Sequence, residues 1–103
     1  MATFTIKRGD TIPLRYALLP ASVNLAGASV VFNMRGVLDR APARIVTASP
    51  PVVEYIWQPG DTARPGLRPA EFEVTYPDGI VETFPTDTTP EGRLLVHIVG
   101  DLG

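Results

Sequence analysis

Three carboxylates raise the first question of chemistry. Glu71 and Glu73 alternate along one run, and Glu82 falls on the next, with Asp78-Gly79 between them. If that hairpin closes in simple register the three come together, and paired carboxylates are the equipment of general acid and base catalysis. On an exposed sheet face the same residues keep an edge soluble, and this is the favoured role, with Arg35 or Arg68 pairing with them at little net gain in stability. His97 is the only histidine, and no Ser or Cys with a partnering Asp can be placed beside it by motif, so it reads as a packing or surface residue. Asp10, Asp61, Asp78, Asp87 and Asp101 sit at turns without calcium-loop spacing, and the glycines form no phosphate-binding pattern. The expectation is a chain with no catalytic site, no metal and no cofactor. Arg8-Gly9-Asp10 spells a tripeptide read by integrins, but here it reads as the link between two strands.

The elements that position these residues are short strands. At 103 residues the chain is expected to be a single domain, residues 1–103, large enough to fold without staples. It has no cysteine, so packing must supply its stability. The net charge is −2 and the cationic residues are scattered, which argues against nucleic acid as a direct partner. The first residues lack the apolar stretch of a signal peptide, and no window approaches the length of a membrane span, so a soluble cytosolic product is expected. Eleven Pro and nine Gly fall between apolar runs, which is the punctuation of an all-β domain.

Strand patterns occupy Thr3 to Lys7, Thr11 to Leu19, Ala28 to Arg35, Ala43 to Ala48, Val52 to Trp57, Leu67 to Tyr76, Ile80 to Phe84 and Arg93 to Val99. Phe4 and Ile6 share a face, as do Ile12, Leu14, Tyr16 and Leu18, with Pro13 marking an edge or a bulge. Val30, Phe32 and Met34 point inward, as do Val53, Tyr55 and Trp57. Apolar residues on both faces of the last strand suggest a central position or one covered by a partner. Asp61 could open a single helical turn, and residues 85–92 read as a solvated loop. Seven or eight short strands with regular turns predict a two-sheet β-sandwich of immunoglobulin-like type, with a small closed barrel as the competitor and Trp57 between the sheets.

Phe4-Thr-Ile-Lys-Arg-Gly-Asp-Thr11, Leu25-Ala-Gly-Ala-Ser-Val-Val-Phe-Asn-Met-Arg35, Val53-Glu-Tyr-Ile-Trp57, Ala70-Glu-Phe-Glu-Val-Thr-Tyr76 and Glu82-Thr-Phe-Pro85 follow one another in order. Together with Asp61-Thr62, Gly66 and Asp78-Gly79 they resemble a family of small tailed-phage virion proteins, similar to the N-terminal domain of siphophage upper baseplate proteins. The resemblance implies an immunoglobulin-like sandwich that attaches to a phage particle and has no enzymatic activity. In multidomain relatives this module docks to the baseplate and a following region reaches outward. With no such continuation after Val99-Gly-Asp-Leu-Gly103, an accessory part of the tail, baseplate or capsid is expected. Its partners would be other virion proteins, with a homo-oligomer in the particle as a further expectation.

Val31, Ile56, Leu95 and Val99 lie on faces opposite the core and are the candidate partner contacts. The competing class is a module that binds carbohydrate or a host surface. Such a module needs aromatics in loops or on an open face, whereas all eight aromatics here fall within strand patterns.

Overall fold

Alternating burial is clearest where the sequence alternates most cleanly. A computed structural model describes residues 2–86 and 92–100. In β3 (Ser29–Met34), Val30, Phe32 and Met34 are buried, and in β7 (Gly66–Thr75) Ala70, Phe72 and Val74 are buried. β9 (Leu94–Val99) buries Leu94, Val96 and Ile98. Each of these large apolar side chains contributes roughly 1.5–3 kcal/mol on leaving water, and together they form the floor of the core.

The other strands are β1 (Ala2–Lys7), β2 (Leu14–Ala17), β4 (Leu38–Pro42), β5 (Arg44–Thr47), β6 (Val52–Tyr55) and β8 (Val81–Phe84). They assemble into two sheets. The larger has the order β1-β9-β7-β3-β4, with β8 also on β7, and the smaller has the order β2-β6-β5. β9 pairs with the first half of β7, from Gly66 to Ala70, and β8 with the second half, from Phe72 to Thr75. All pairings are antiparallel except β1 with β9. The smaller sheet reproduces the B-E-D order of an immunoglobulin domain, and β9-β7-β3-β4 reproduces G-F-C-C′. The architecture is an all-β sandwich.

Aromatic rings stitch the sheets together. Tyr55 of the smaller sheet stacks on Phe32 of the larger at 4.8 Å, and Tyr16 stacks on Phe72 at 5.9 Å. Trp57 stands edge-on to both Phe32 and Tyr55 and reaches Phe4 at 6.1 Å. It is 4% exposed, which puts it between the sheets as its spacing predicts. β9 is central, between β1 and β7.

Three expectations about elements need correction. Residues 38–42 form a strand that the sequence pattern does not reveal, so the described residues contain nine strands rather than seven or eight. β4 is an edge strand with little burial, and Arg40 within it has a φ of 54°, so no alternation marks it. Ile12 does not share the inward face of Leu14: β2 begins only after Pro13, and Ile12 is 67% exposed. Asp61 opens no helical turn. Its carboxylate instead accepts from the Tyr55 hydroxyl and from the Gln58 backbone N–H at 2.7 Å, bracing a turn that precedes it. Most of the loop expected over residues 85–92, with Asp87, lies outside the described residues, as does Asp101.

Candidate functional site

The acidic trio is divided by the parity of a loop. Glu73 stands opposite Thr83 and Val74 opposite Glu82, so Glu82 shares the inner face with Val74 while Glu71 and Glu73 face outward. The loop runs over residues 76–80, closed by Tyr76 N–H to the Ile80 carbonyl at 2.8 Å, with Gly79 at a φ of 87° that suits a residue without Cβ. It is one residue out of phase with the register that would set Glu73 across from Glu82, and a one-residue slip sends every side chain to the other face. At the rim of the core, Glu82 accepts from the Tyr76 hydroxyl at 2.8 Å, and burial together with this carboxylate pushes the phenol up to about 12.

The outward pair is occupied by neighbours. Glu73 pairs with Arg40, not with Arg35 or Arg68, and Glu71 accepts a long bond of 3.4 Å from the Asn33 amide. Arg40 comes within reach because its own N–H donates to the Asn33 side chain at 2.6 Å. Arg68 cannot serve Glu71 or Glu73, since it lies opposite Val96 on the inner side of β7. The three carboxylates therefore do not make an acid–base pair.

The other candidates resolve individually. His97 is exposed on the outer face of β9, between Thr5 and Leu67. Among the described residues no three or more acidic, His or Cys side chains gather where a metal could sit. The Arg8-Gly9-Asp10 link is tied to the body of the protein. The buried Thr62 hydroxyl accepts from Gly9 N–H and donates to the Asp10 carbonyl, both at 3.1 Å, and Arg8 N–H bonds the Val99 carbonyl at 2.8 Å.

Glu54 is a buried carboxylate whose partners sequence reasoning missed. It occupies the outer face of the smaller sheet, in one cross-strand row with Arg15 on β2 and Arg44 on β5. Arg15 donates twice to one oxygen, at 2.9 and 3.1 Å, and Arg44 donates to the other at 2.6 Å. The side chain is 4% exposed beneath two guanidiniums that are themselves open to water. The hydrogen bond from Arg15, reinforced by Arg44, holds its carboxyl below the usual carboxylate range against the opposing pull of burial. Alternation alone puts Glu54 opposite the core, and only the register of both neighbouring strands shows that it is roofed.

The four expected contact residues are spread over the molecule. Val31, Leu95 and Val99 are half-buried on the outer face of the larger sheet, whereas Ile56 lies just beyond β6 and is 43% exposed. Val31 stands across from Glu73 and Leu95 from Pro69, a separation along β7 of about 13 Å at about 3.3 Å per residue, with Glu71 between. They do not form one continuous apolar patch. Val99 does border a recess of about 420 Å³ beside β1, lined also by Phe4, Thr5, Ile6, Lys7, Asp10 and Ile12. A second hollow, of about 470 Å³, opens where β8 ends and β9 begins along β7, lined by Arg35, Glu71, Thr83 and Arg93.

No aromatic side chain stands clear of the core. Phe32, Tyr55, Trp57, Phe72 and Phe84 are buried, and Phe4, Tyr16 and Tyr76 pack against them. No helix among the described residues is long and apolar enough to cross a membrane. No protein-family model matches the chain, and no curated protein matches it.

Proposed function

We propose that this chain is a non-enzymatic structural part of a tailed-phage particle, an immunoglobulin-like module that attaches to the tail, the baseplate or the capsid through contacts with other virion proteins. What supports the reading is the resemblance of an ordered series of sequence words to the N-terminal domain of siphophage upper baseplate proteins. Those words supply Phe4, Phe32, Trp57, Phe72 and Phe84, the rings around which the two sheets close. The resemblance therefore falls on residues that determine how the sandwich packs, and the five segments span both sheets.

The competing reading, a carbohydrate- or host-surface-binding module, has less support. Sugar recognition by a sandwich draws on exposed aromatic faces, and here all eight rings are directed into or against the core. The test is co-purification. Particles released from cells carrying the gene in its natural setting are banded by density, and the chain is sought by mass spectrometry. Recovery at a fixed ratio to the major particle proteins is expected. Its absence from intact particles, with the protein found free in the lysate, would overturn the proposal.

A further inference from the structure

Five strands in the described residues have a free edge: β1, β4 and β8 in the larger sheet, β2 and β5 in the smaller. Four carry features that discourage a further strand. β4 ends in Pro42, holds Arg40 in the left-handed region and shifts register against β3. β5 shifts register against β6 between Ile45 and Thr47. β2 and β8 are four residues long, flanked by Pro13 and Pro85 respectively. β1 differs: it is six residues long, has no proline, pairs with β9 in unbroken register and carries a single charge, Lys7. Proteins usually protect such an edge by shortening, bulging or charging it.

The phase of the β1–β9 ladder fixes which groups face outward. Ala2 N–H bonds the Arg93 carbonyl at 2.9 Å and Arg8 N–H bonds the Val99 carbonyl at 2.8 Å, so the even-numbered residues of β1 are engaged with β9. Thr3 and Thr5 turn their N–H and C=O groups to the free edge, as Lys7 does its N–H, while the Lys7 carbonyl already accepts from Asp10 N–H at 3.0 Å. Along that edge lies a mainly apolar recess lined from both faces of the sheet, by Phe4 and Ile6 on one side and Thr5 and Val99 on the other, with Ile12 beside them.

We propose that a second copy of this chain occupies the edge, its β1 running antiparallel to the first about a two-fold axis at Thr5. In this register Thr5 faces the partner's Thr5 and exchanges both backbone bonds with it, and Thr3 faces the partner's Lys7, whose N–H donates to the Thr3 carbonyl. Phe4 then lies across from the partner's Ile6, an aromatic and β-branched pair that favours sheet formation and places apolar side chains over the recess. The two Lys7 ammonium groups fall at opposite ends of the paired strands, so they do not meet. Shifting the axis by one residue in either direction shortens the overlap of the free edges. β1 is thus complementary to itself in hydrogen bonding and in apolar pairing, and its one charge is kept from its copy, as an isologous contact requires. The inference rests on this edge alone and does not depend on a role in a particle.

The test is the mass of the full chain in solution, followed by sedimentation velocity from micromolar to millimolar protein. The unmodified chain is expected to move towards twice 11.1 kDa as concentration rises. Thr5 is exposed on the outer face, so Thr5→Lys and Thr5→Glu leave the core untouched while setting like charges against each other across the axis. Each variant alone should stay monomeric, and an equimolar mixture of the two should recover the dimer. Circular dichroism confirms that both are folded. An unmodified chain that remains monomeric throughout the range overturns the proposal, as does a dimer whose mass is unchanged by Thr5→Lys.

Discussion

The ring of Tyr16 lies nearly parallel to that of Phe72, with centroids 5.9 Å apart and planes inclined by 11°. Tyr16 belongs to β2 and Phe72 to β7, the strands that correspond to B and F of an immunoglobulin domain, where antibody domains place their inter-sheet disulfide. This chain has no cysteine, and a stacked ring pair holds the sheets together between the same two strands. A covalent link acts largely on the unfolded chain, whereas a ring pair acts only in the folded state. Stability must then be spread over many contacts, among them the adjoining pair Phe32 and Tyr55.

The contact should be measurable as a coupling. In a double-mutant cycle of Tyr16→Leu and Phe72→Leu, the two substitutions are expected to be non-additive by about 0.5–1.5 kcal/mol in denaturant unfolding. Phe72→Leu alone should be the more costly, since Phe72 is fully buried and also packs on Phe32 at 4.8 Å. Strict additivity would show that the stack contributes nothing beyond the area it covers.

Trp57 is the largest side chain between the sheets, and Trp57→Ala should cost about 3–5 kcal/mol, followed by circular dichroism because the fluorophore is lost. Trp57→Phe should be much milder. It retains a ring for Phe4, Phe32 and Tyr55, and it removes an indole N–H that is buried with no partner among the described residues. Equal losses for the two variants would mean that the indole matters for more than its volume.

How far such features could be read in advance depended on whether they are local. The inward sets Val30, Phe32, Met34 and Val53, Tyr55, Trp57 follow from period-two alternation within one strand, and the sandwich class follows from many such strands. β4 was not legible because an exposed edge strand with Arg40 at positive φ has no apolar face to alternate. The face that Glu82 takes is not legible because one residue in the length of a turn reverses it, and the Pro77-Asp78-Gly79 signal announces a turn without fixing its length. The roof over Glu54 and the parallel pairing of β1 with β9 depend on registers between segments far apart in sequence, which neither composition nor periodicity encodes. The choice between Glu73's possible partners turned on the same kind of fact, since Arg40 reaches it from a strand that sequence did not reveal.

Glu54 should leave a signature in acid. Its carboxyl is held below the ordinary value of 4.5, chiefly by the hydrogen bond from Arg15 with further help from Arg44. A depressed folded pKa contributes stability that is present above the unfolded value and lost as pH falls through the folded one, because the unfolded chain then binds the proton more readily. Denaturant midpoints should therefore decline below about pH 4.5, and Glu54→Gln should flatten that decline while lowering stability at neutral pH. Parallel pH profiles for the parent and the variant would show that the row of Arg15, Glu54 and Arg44 contributes no linkage.

The opposite limb of the profile belongs to the tyrosines. All three phenols are raised above their ordinary value of 10.0: Tyr16 by burial, Tyr55 by burial and then by the Asp61 carboxylate, and Tyr76 by burial and then by Glu82, to about 12. A phenol raised on folding contributes stability that is fully present below its unfolded pKa and lost as pH rises through the folded value. The tyrosinate absorbance of the native chain should therefore rise at higher pH than that of the urea-unfolded chain, which is half ionised near pH 10. Replacing Glu82 by Gln removes the secondary cause at Tyr76 and leaves burial in place, so its ionisation should begin at lower pH yet remain above 10. A native titration that overlays the unfolded one would place these hydroxyls in water and contradict the pairing of Tyr76 with Glu82 on the inner face of the hairpin.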